Sequence, residues 1–569
     1  MKKDIPRYPV PHVVSIQDMI LQSAKSFADK LAIEDCAATP IPRLTYSGLL
    51  NSIVRFGAAL QKLEIPERSH IAVIGENRVQ WAVTYLTAMC FNYVIVPIDK
   101  NLSTNEILNV VHESDVSAIV YSDQFEEMLR EKRATLKKLR HYIGMDKPKA
   151  SGFALSMTEL IGASAVVPLS MLPKITPSEM AVIIFTSGTL GRAKGVMLSQ
   201  RNIASNLMSM LTAMQMLPED RFLSVLPMHH TYECNCGMLC PLMAGSSVHY
   251  ARSLKTVTDD MQSVHATILL GVPLLYEKMF KRIYKGVHEH KSKALVVPPL
   301  IQVSNVLEKV GWKNCKKVVF KELHEKFGGS IRVFIAGGAA SDPTVARGLR
   351  DFGFTYVQGY GLTETSPILA LNPLAWAKDD AAGLPLPGVE LMIHEPDEEG
   401  IGEVYAKGEN VMLGYYKNPD ATRETFDDGW FKTGDYGYLD DDGFLHISGR
   451  KKNVIISKSG KNVFPEEVED ALNHSAFILE SLVFGEHDPK QGEIIAAKIV
   501  VDAEAFIELS ARKGTAITPE LIHSVINEEV QRINKELTSF KQVKKFYIHD
   551  QEFQKTTTQK IKRFAAFSE

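Results

Sequence analysis

Apolar residues fall in short blocks through the first two thirds of the chain. His70–Ile74, Tyr93–Pro97, Ala118–Tyr121, Ala181–Phe185, Phe222–Leu226, Thr267–Leu270 and Ile331–Ala336 are each four to six residues long. Runs this short and this uniformly apolar predict strands buried on both faces. Between them, Asn202–Met214 places Ile203, Leu207, Met210, Leu211 and Met214 at helical spacing. Short buried strands alternating with amphipathic helices predict an α/β fold, with a large N-terminal part of doubly wound subdomains.

After about Asp379 the pattern changes. Gly402–Ala406 (GEVYA) and Phe444–Ser448 (FLHIS) alternate in character, and the DDDG run at Asp440–Gly443 predicts a hairpin turn. This predicts a small β-barrel-like module. A third pattern begins near Arg450. Pro465 stands where a first helical residue would, with Glu466 and Glu467 in the first turn. A hairpin of Leu482–Phe484 against Glu493–Val501 and a helix over Pro519–Leu537 follow. Residues 450–569 therefore read as a small α+β domain behind a large one at 1–449.

Length agrees with several packed units, since 569 residues exceed what one core serves. The net charge of −3 gives no basic surface for phosphate backbones, so no nucleic acid partner is expected. Six cysteines are too few for a disulfide framework. The C-x-C-x3-C run at Cys234, Cys236 and Cys240 lacks zinc-site spacing and reads as buried thiols. The N-terminus has no apolar signal core, and no stretch approaches ~20 apolar residues. A cytoplasmic protein is expected, and peripheral membrane contact stays open. The Lys281–Lys326 stretch, basic in places, reads as a solvated helical face.

The densest candidate chemistry follows the strand Ala181–Phe185: Thr186, Ser187, Gly188, Thr189, Leu190, Gly191, Arg192, Ala193, Lys194 and Gly195. Glycines let the backbone approach a polyanion, hydroxyls add donors and Lys194 adds a charge. A Walker loop requires G-x4-G-K-[ST], but Lys194 is followed by Gly195. That argues against a P-loop ATPase or kinase.

This loop resembles the T-S-G-T-T-G-x-P-K-G signature of the adenylate-forming superfamily, which includes acyl-CoA synthetases, luciferases and peptide-synthetase adenylation domains. Leu190 and Ala193 depart from it. Further motifs follow in the family's order. Gly338-Ala339-Ala340 resembles its adenine-side G-A-P, and Tyr360-Gly361-Leu362-Thr363-Glu364 its Y-G-x-T-E. Thr433-Gly434-Asp435 matches T-G-D, and Gly449-Arg450-Lys451-Lys452 matches G-R-x-K. Thr556–Arg563 (TTTQKIKR) resembles the ending of long-chain members, with Gln559 where other branches have Gly.

The resemblance implies ATP and coenzyme A as co-substrates with Mg2+. It implies Tyr360 on adenine, Thr363 at the phosphates, Glu364 at the metal, and Asp435 with Arg450 on the ribose. It also implies Lys560 as the catalytic lysine, with Lys562 the competitor if the register slips, and Lys452 as hinge of a mobile C-terminal domain. His230, in the segment LPMHHTYE at 226–233, resembles the family histidine beside the acyl pocket. Gly361 stands where short-acid members carry a pocket-closing tryptophan. A medium- or long-chain fatty acid is expected, activated to acyl-AMP and passed to coenzyme A. The phosphopantetheine of an acyl carrier protein is the alternative acceptor. A non-catalytic acyl-nucleotide binding protein is the reading from another class, and retention of Lys194, Glu364, Asp435, Arg450 and Lys560 argues against it.

Overall fold

The computed structural model describes residues 5–147, 152–186, 193–288, 291–312, 314–457, 461–488, 492–556, 561–563 and 566. Two compact units divide the chain. The first holds Met1–Leu391, Ala406–Phe431 and Asp442–Phe444; the second holds Met392–Tyr405, Lys432–Asp441 and Leu445–Glu569.

The first unit is built on two sheets. Among the described residues one has nine strands, in the order Leu384–Pro385, Ile368–Leu371, Tyr356–Gly361, Val333–Ala336, Ile268–Gly271, Arg221–Ser224, Ser247–Tyr250, Leu31–Asp35, Arg43–Thr45. From Tyr356–Gly361 through Leu31–Asp35 the neighbours are parallel. The other sheet has eight strands, in the order Gly414–Tyr415, Lys194–Ser199, Met180–Thr186, Val94–Ile98, His70–Ile74, Ala118–Tyr121, His141–Gly144, Leu155–Ser156. The uniform apolar runs are explained by helices on the sheet faces, which bury Ala118–Tyr121 and Val94–Ile98 throughout. Helix Gln200–Ala213 is typical of these. Ser199 and Asn202 form a reciprocal cap at its start, and Ile203, Leu207, Met210 and Leu211 are buried.

One strand ends earlier than its apolar run predicts. Arg221–Ser224 stops before Leu226 because Asn77 captures the chain there. Asn77 Nδ2 donates to the Leu226 carbonyl at 2.6 Å and to Ser224 Oγ at 3.1 Å, and its Oδ1 accepts from the Met228 amide at 3.1 Å. Backbone groups bound to a side chain cannot continue a ladder.

The Lys281–Lys326 stretch differs from a solvated polar face. Helix Lys291–Lys309 runs through it, and Leu295, Val296, Leu300, Val303 and Val306 are exposed. Among the described residues no helix is long and apolar enough to cross a membrane.

In the second unit, Asp435–Leu439 pairs antiparallel with Leu445–Arg450 across the DDDG turn. A three-stranded sheet follows in the order Ile478–Asp488, Gly492–Val501, Lys545–His549. Helices Pro465–Asn473, Ala503–Lys513 and Pro519–Asn534 contribute to a core with Val468, Leu472, Val483, Ile499, Phe506 and Ile526. The six cysteines are all unbridged, and Cys234, Cys236 and Cys240 are buried.

Candidate functional site

In an open parallel sheet, ligands gather where strands end at their carboxyl side. Three such ends in the first unit carry predicted residues. Strand Val333–Ala336 runs into Gly337, then the exposed Gly338, Ala339 and Ala340. Gly338 adopts φ +87°, a conformation that favours glycine. Strand Arg221–Ser224 leads to His230, and strand Tyr356–Gly361 to Thr363 and Glu364.

Tyr232 ties the first two ends together. Its hydroxyl donates to the Ile335 carbonyl at 3.1 Å. A Cβ at Gly337 would lie 2.9 Å from the Tyr232 ring, so glycine is needed to let the ring pass. The Tyr232 amide donates to His230 Nδ1 at 3.2 Å, which puts the proton of a neutral His230 ring on Nε2. His229 is placed against a carboxylate, its Nε2 3.5 Å from Asp99 Oδ2. Burial lowers its pKa, with Asp99 opposing.

Thr186 and Lys194 face each other across the antiparallel pair of Met180–Thr186 and Lys194–Ser199. The Thr186 hydroxyl donates to the Lys194 carbonyl at 3.4 Å. Ser187, Gly188, Thr189, Leu190 and Gly191, which complete the predicted loop, lie outside the described residues. On the far side of Lys194–Ser199, strand Gly414–Tyr415 pairs Tyr415 with Val196. This register brings a residue that sequence reasoning missed into the site. The Tyr415 hydroxyl donates to Glu364 Oε1 at 2.9 Å, and Lys194 Nζ sits 4.8 Å from the centre of its ring. The Glu364 backbone is fixed as well, its carbonyl accepting from the Met412 amide at 2.8 Å. An ammonium, an aromatic hydroxyl and a carboxylate thus converge from three distant segments. No local pattern around Tyr415 announces this role.

Gly361 has a backbone reason to be glycine. The pairing of Tyr356–Gly361 with Ile368–Leu371 shifts register between Tyr360 and Gly361. A Cβ at Gly361 would stand 1.9 Å from the Pro367 carbonyl oxygen. Tyr360, paired with Ala370, is partly buried against the main core.

Glu233 is a second residue with unforeseen character. It lies in the π-helix Tyr232–Leu239, a geometry frequent at functional sites. Burial pushes its carboxyl up to about 8, and Ser224 and the Leu226 amide draw it only part of the way back. Neither oxygen makes a hydrogen bond of good geometry. A Cβ at Gly237 would lie 2.5 Å from Glu233 Oε1, so the carboxyl occupies the space that glycine leaves.

In the second unit, the strand register opposes Asp435 and Arg450, and Arg450 Nε is 2.9 Å from Asp435 Oδ1. Asp435 is buried, and its amide donates to Thr433 Oγ1 at 3.1 Å. Lys452 follows in the short turn Lys451–Asn453. Its flanks are anchored: Lys451 Nζ to Glu403 Oε2 and Asn453 Nδ2 to Glu466 Oε1, both at 2.6 Å. Surrounding groups that exclude water, and Arg450 beside it, lower the Lys452 pKa although the side chain reaches solvent. Lys560 lies outside the described residues. Of the described residues before and after it, Lys555 has its Nζ 2.7 Å from Glu480 Oε2, and Arg563 reaches both Glu469 oxygens at 2.7 and 2.6 Å. Lys562, exposed, donates its amide to the Gln554 carbonyl at 2.7 Å.

A family model described as AMP-binding enzyme matches residues 20–416, and one described as AMP-binding enzyme C-terminal domain matches residues 467–560. A long-chain-fatty-acid–CoA ligase of Mycobacterium tuberculosis is 27% identical over 556 residues, covering 91% of this chain and 90% of its own length. A chloroplastic long-chain-fatty-acid–[acyl-carrier-protein] ligase of Arabidopsis thaliana is 27% identical over 598 residues, covering 92% and 80%. Among solved structures, ATP-bound MatB from Rhodopseudomonas palustris superposes with a TM-score of 0.76 at 24% identity, covering 97% of this chain and 98% of that one. That likeness bears out the predicted fold class, a large α/β N-terminal domain with a smaller C-terminal one. With the family model matching most of its length, the chain belongs to the AMP-binding enzymes of the adenylate-forming superfamily.

Proposed function

We propose that the chain activates a medium- or long-chain fatty acid with ATP, forming acyl-AMP and pyrophosphate, then transfers the acyl group to coenzyme A. The observation that carries the reading is the convergence of Lys194, Tyr415 and Glu364 beside the end of strand Met180–Thr186. In the first step a carboxylate oxygen attacks the α-phosphorus. Both reactants are anions, so the site must offset their repulsion and the charge that builds in the transition state. Lys560 would meet the reacting groups, and Lys194 with the loop hydroxyls would meet the departing phosphates. No side-chain base is needed, because the acid is ionised near neutral pH. Tyr360 and the small residues Gly338, Ala339 and Ala340 would take the adenine, Thr363 the phosphate region, and Asp435 with Arg450 the ribose.

Mg2+ fits Glu364: one carboxylate plus phosphate oxygens is a common set for this ion, and the Tyr415 hydroxyl holds the carboxylate in place through Oε1. The ion would screen phosphate charge there. His230 would orient the carboxylate or gate the acyl pocket. Gly361 supports a long acid, since no side chain at this position can close a pocket without displacing the Pro367 backbone.

For the second step, residues 450–569 would turn as a domain about Lys452, withdrawing Lys560 and admitting the thiol. The relative named as an acyl-carrier-protein ligase supports a second acceptor, a carrier-bound phosphopantetheine thiol. A panel of acids from acetate to palmitate with Mg-ATP tests the reading, scored for pyrophosphate and thioester with free coenzyme A or carrier protein. Acetate outpacing palmitate and decanoate would overturn the acid assignment. ADP as product would overturn adenylation.

A further inference from the structure

Helix Lys291–Lys309 is apolar on both sides. Val297 and Ile301 pack on the core of the first unit. On that same inward side Asn305 Nδ2 donates to Asp351 Oδ1 at 3.3 Å, and Cys315 Sγ approaches the Ser304 carbonyl at 3.2 Å. The opposite side carries Leu295, Val296, Leu300, Val303 and Val306, and Val310 continues it. Their exposure runs from 37% at Leu300 to 76% at Leu295 and Val310. At 3.6 residues per turn these six share an arc of about 140°. A solvated helix carries polar residues on such an arc. A contiguous apolar face in its place marks a contact surface.

Charge selects the partner. Residues 281–326 hold eleven lysines and arginines against four glutamates and no aspartate, in a chain whose net charge is −3. Lys281, Arg282, Lys285, Lys309, Lys317 and Lys321 are exposed. Trp312, just beyond the helix, is 52% exposed. Valine and leucine for an acyl boundary, cations for anionic headgroups and an indole for the interface are the three components of a helix that lies on a bilayer. Crossing is not at issue, since among the described residues no helix is long and apolar enough for it. A second copy fits worse, because a two-fold contact on this face would set two basic segments against each other.

We propose that this face docks the protein on an anionic lipid surface, with the helix lying in the interface plane. The proposal goes beyond acyl activation and stands on the surface alone, so its failure would leave that activity untouched. The full-length chain is sedimented with vesicles of phosphatidylcholine, with and without phosphatidylglycerol. Binding is expected chiefly to the anionic vesicles, weakening with salt and accompanied by a blue shift of tryptophan emission that Trp312→Phe removes. Val303→Gln, Val306→Gln and Val310→Gln combined should weaken binding at least tenfold at an unchanged melting temperature. Lys281→Glu with Lys285→Glu should remove the preference for anionic vesicles. The proposal is overturned if the wild type stays in the supernatant with both vesicles, or if the triple variant binds like the wild type. It is also overturned if the wild type self-associates and the triple variant does not, which would give the face to a second copy.

Discussion

Glu233→Gln should flatten one component of the pH dependence of stability. The Glu233 carboxyl is raised from 4.5 to about 8 by burial among Tyr232, Cys234, Cys236 and Tyr250. Between those values the folded chain holds a proton that the unfolded chain has released. Stability therefore falls as pH rises through that window and is fullest below it. At about 1.4 kcal/mol per pH unit the interval amounts to roughly 5 kcal/mol, a large share of a typical folding free energy. Glutamine keeps the shape and cannot ionise. Near pH 5 the variant should match the wild type within about 1 kcal/mol; near pH 9 it should be the more stable by about 2 kcal/mol or more, allowing for its own buried amide. Burial also raises Asp35, to about 6, but that contribution is common to both chains and drops out of the difference. The assay is urea unfolding followed by tryptophan emission. All four tryptophans, Trp81, Trp312, Trp376 and Trp430, lie in the first unit with Glu233, so the second unit is silent. A stability difference between variant and wild type that stays constant from pH 5 to 9 refutes the reasoning.

Three further outcomes follow from the site. Tyr415→Phe removes a hydrogen bond to a carboxylate, worth about 1.5–3 kcal/mol, and should lower pyrophosphate release at limiting Mg2+ by about tenfold or more; an unchanged Mg2+ requirement would count against Glu364 as the metal residue. Lys560→Ala should abolish adenylation yet spare thioester formation from supplied acyl-AMP, and equal loss of both half-reactions would remove the role assigned to it. Gly361→Ala sets a methyl against the Pro367 carbonyl oxygen and should cost at least about 2 kcal/mol in the same urea assay; wild-type stability would mean that the two strands part easily.

Some of this was legible because it is local. Ala118–Tyr121 is apolar at every position and forms a strand with those bounds. The DDDG turn sets the hairpin that opposes Asp435 to Arg450, and Pro519 starts a helix as its missing N–H allows. What was not legible depends on pairing between distant segments. Tyr415 reaches Glu364 only because Gly414–Tyr415 pairs with Lys194–Ser199, a register that no window around Tyr415 contains. The Arg221–Ser224 strand stops early because Asn77 takes the Leu226 carbonyl, and Gly361 answers to the Pro367 carbonyl six residues on rather than only to a substrate.

The segment 281–326 separates two kinds of information. Its charge can be counted from composition, and the count suggests a solvated face. The direction in which Val303 and Val306 point cannot be counted, because a helix with Val297 and Ile301 on the core could equally bury its other side. Only packing decides which apolar arc is covered. Once one arc is left bare beside exposed lysines, the lysines cease to be evidence for mere solvation, since the same charges that solvate a helix also attract an anionic surface.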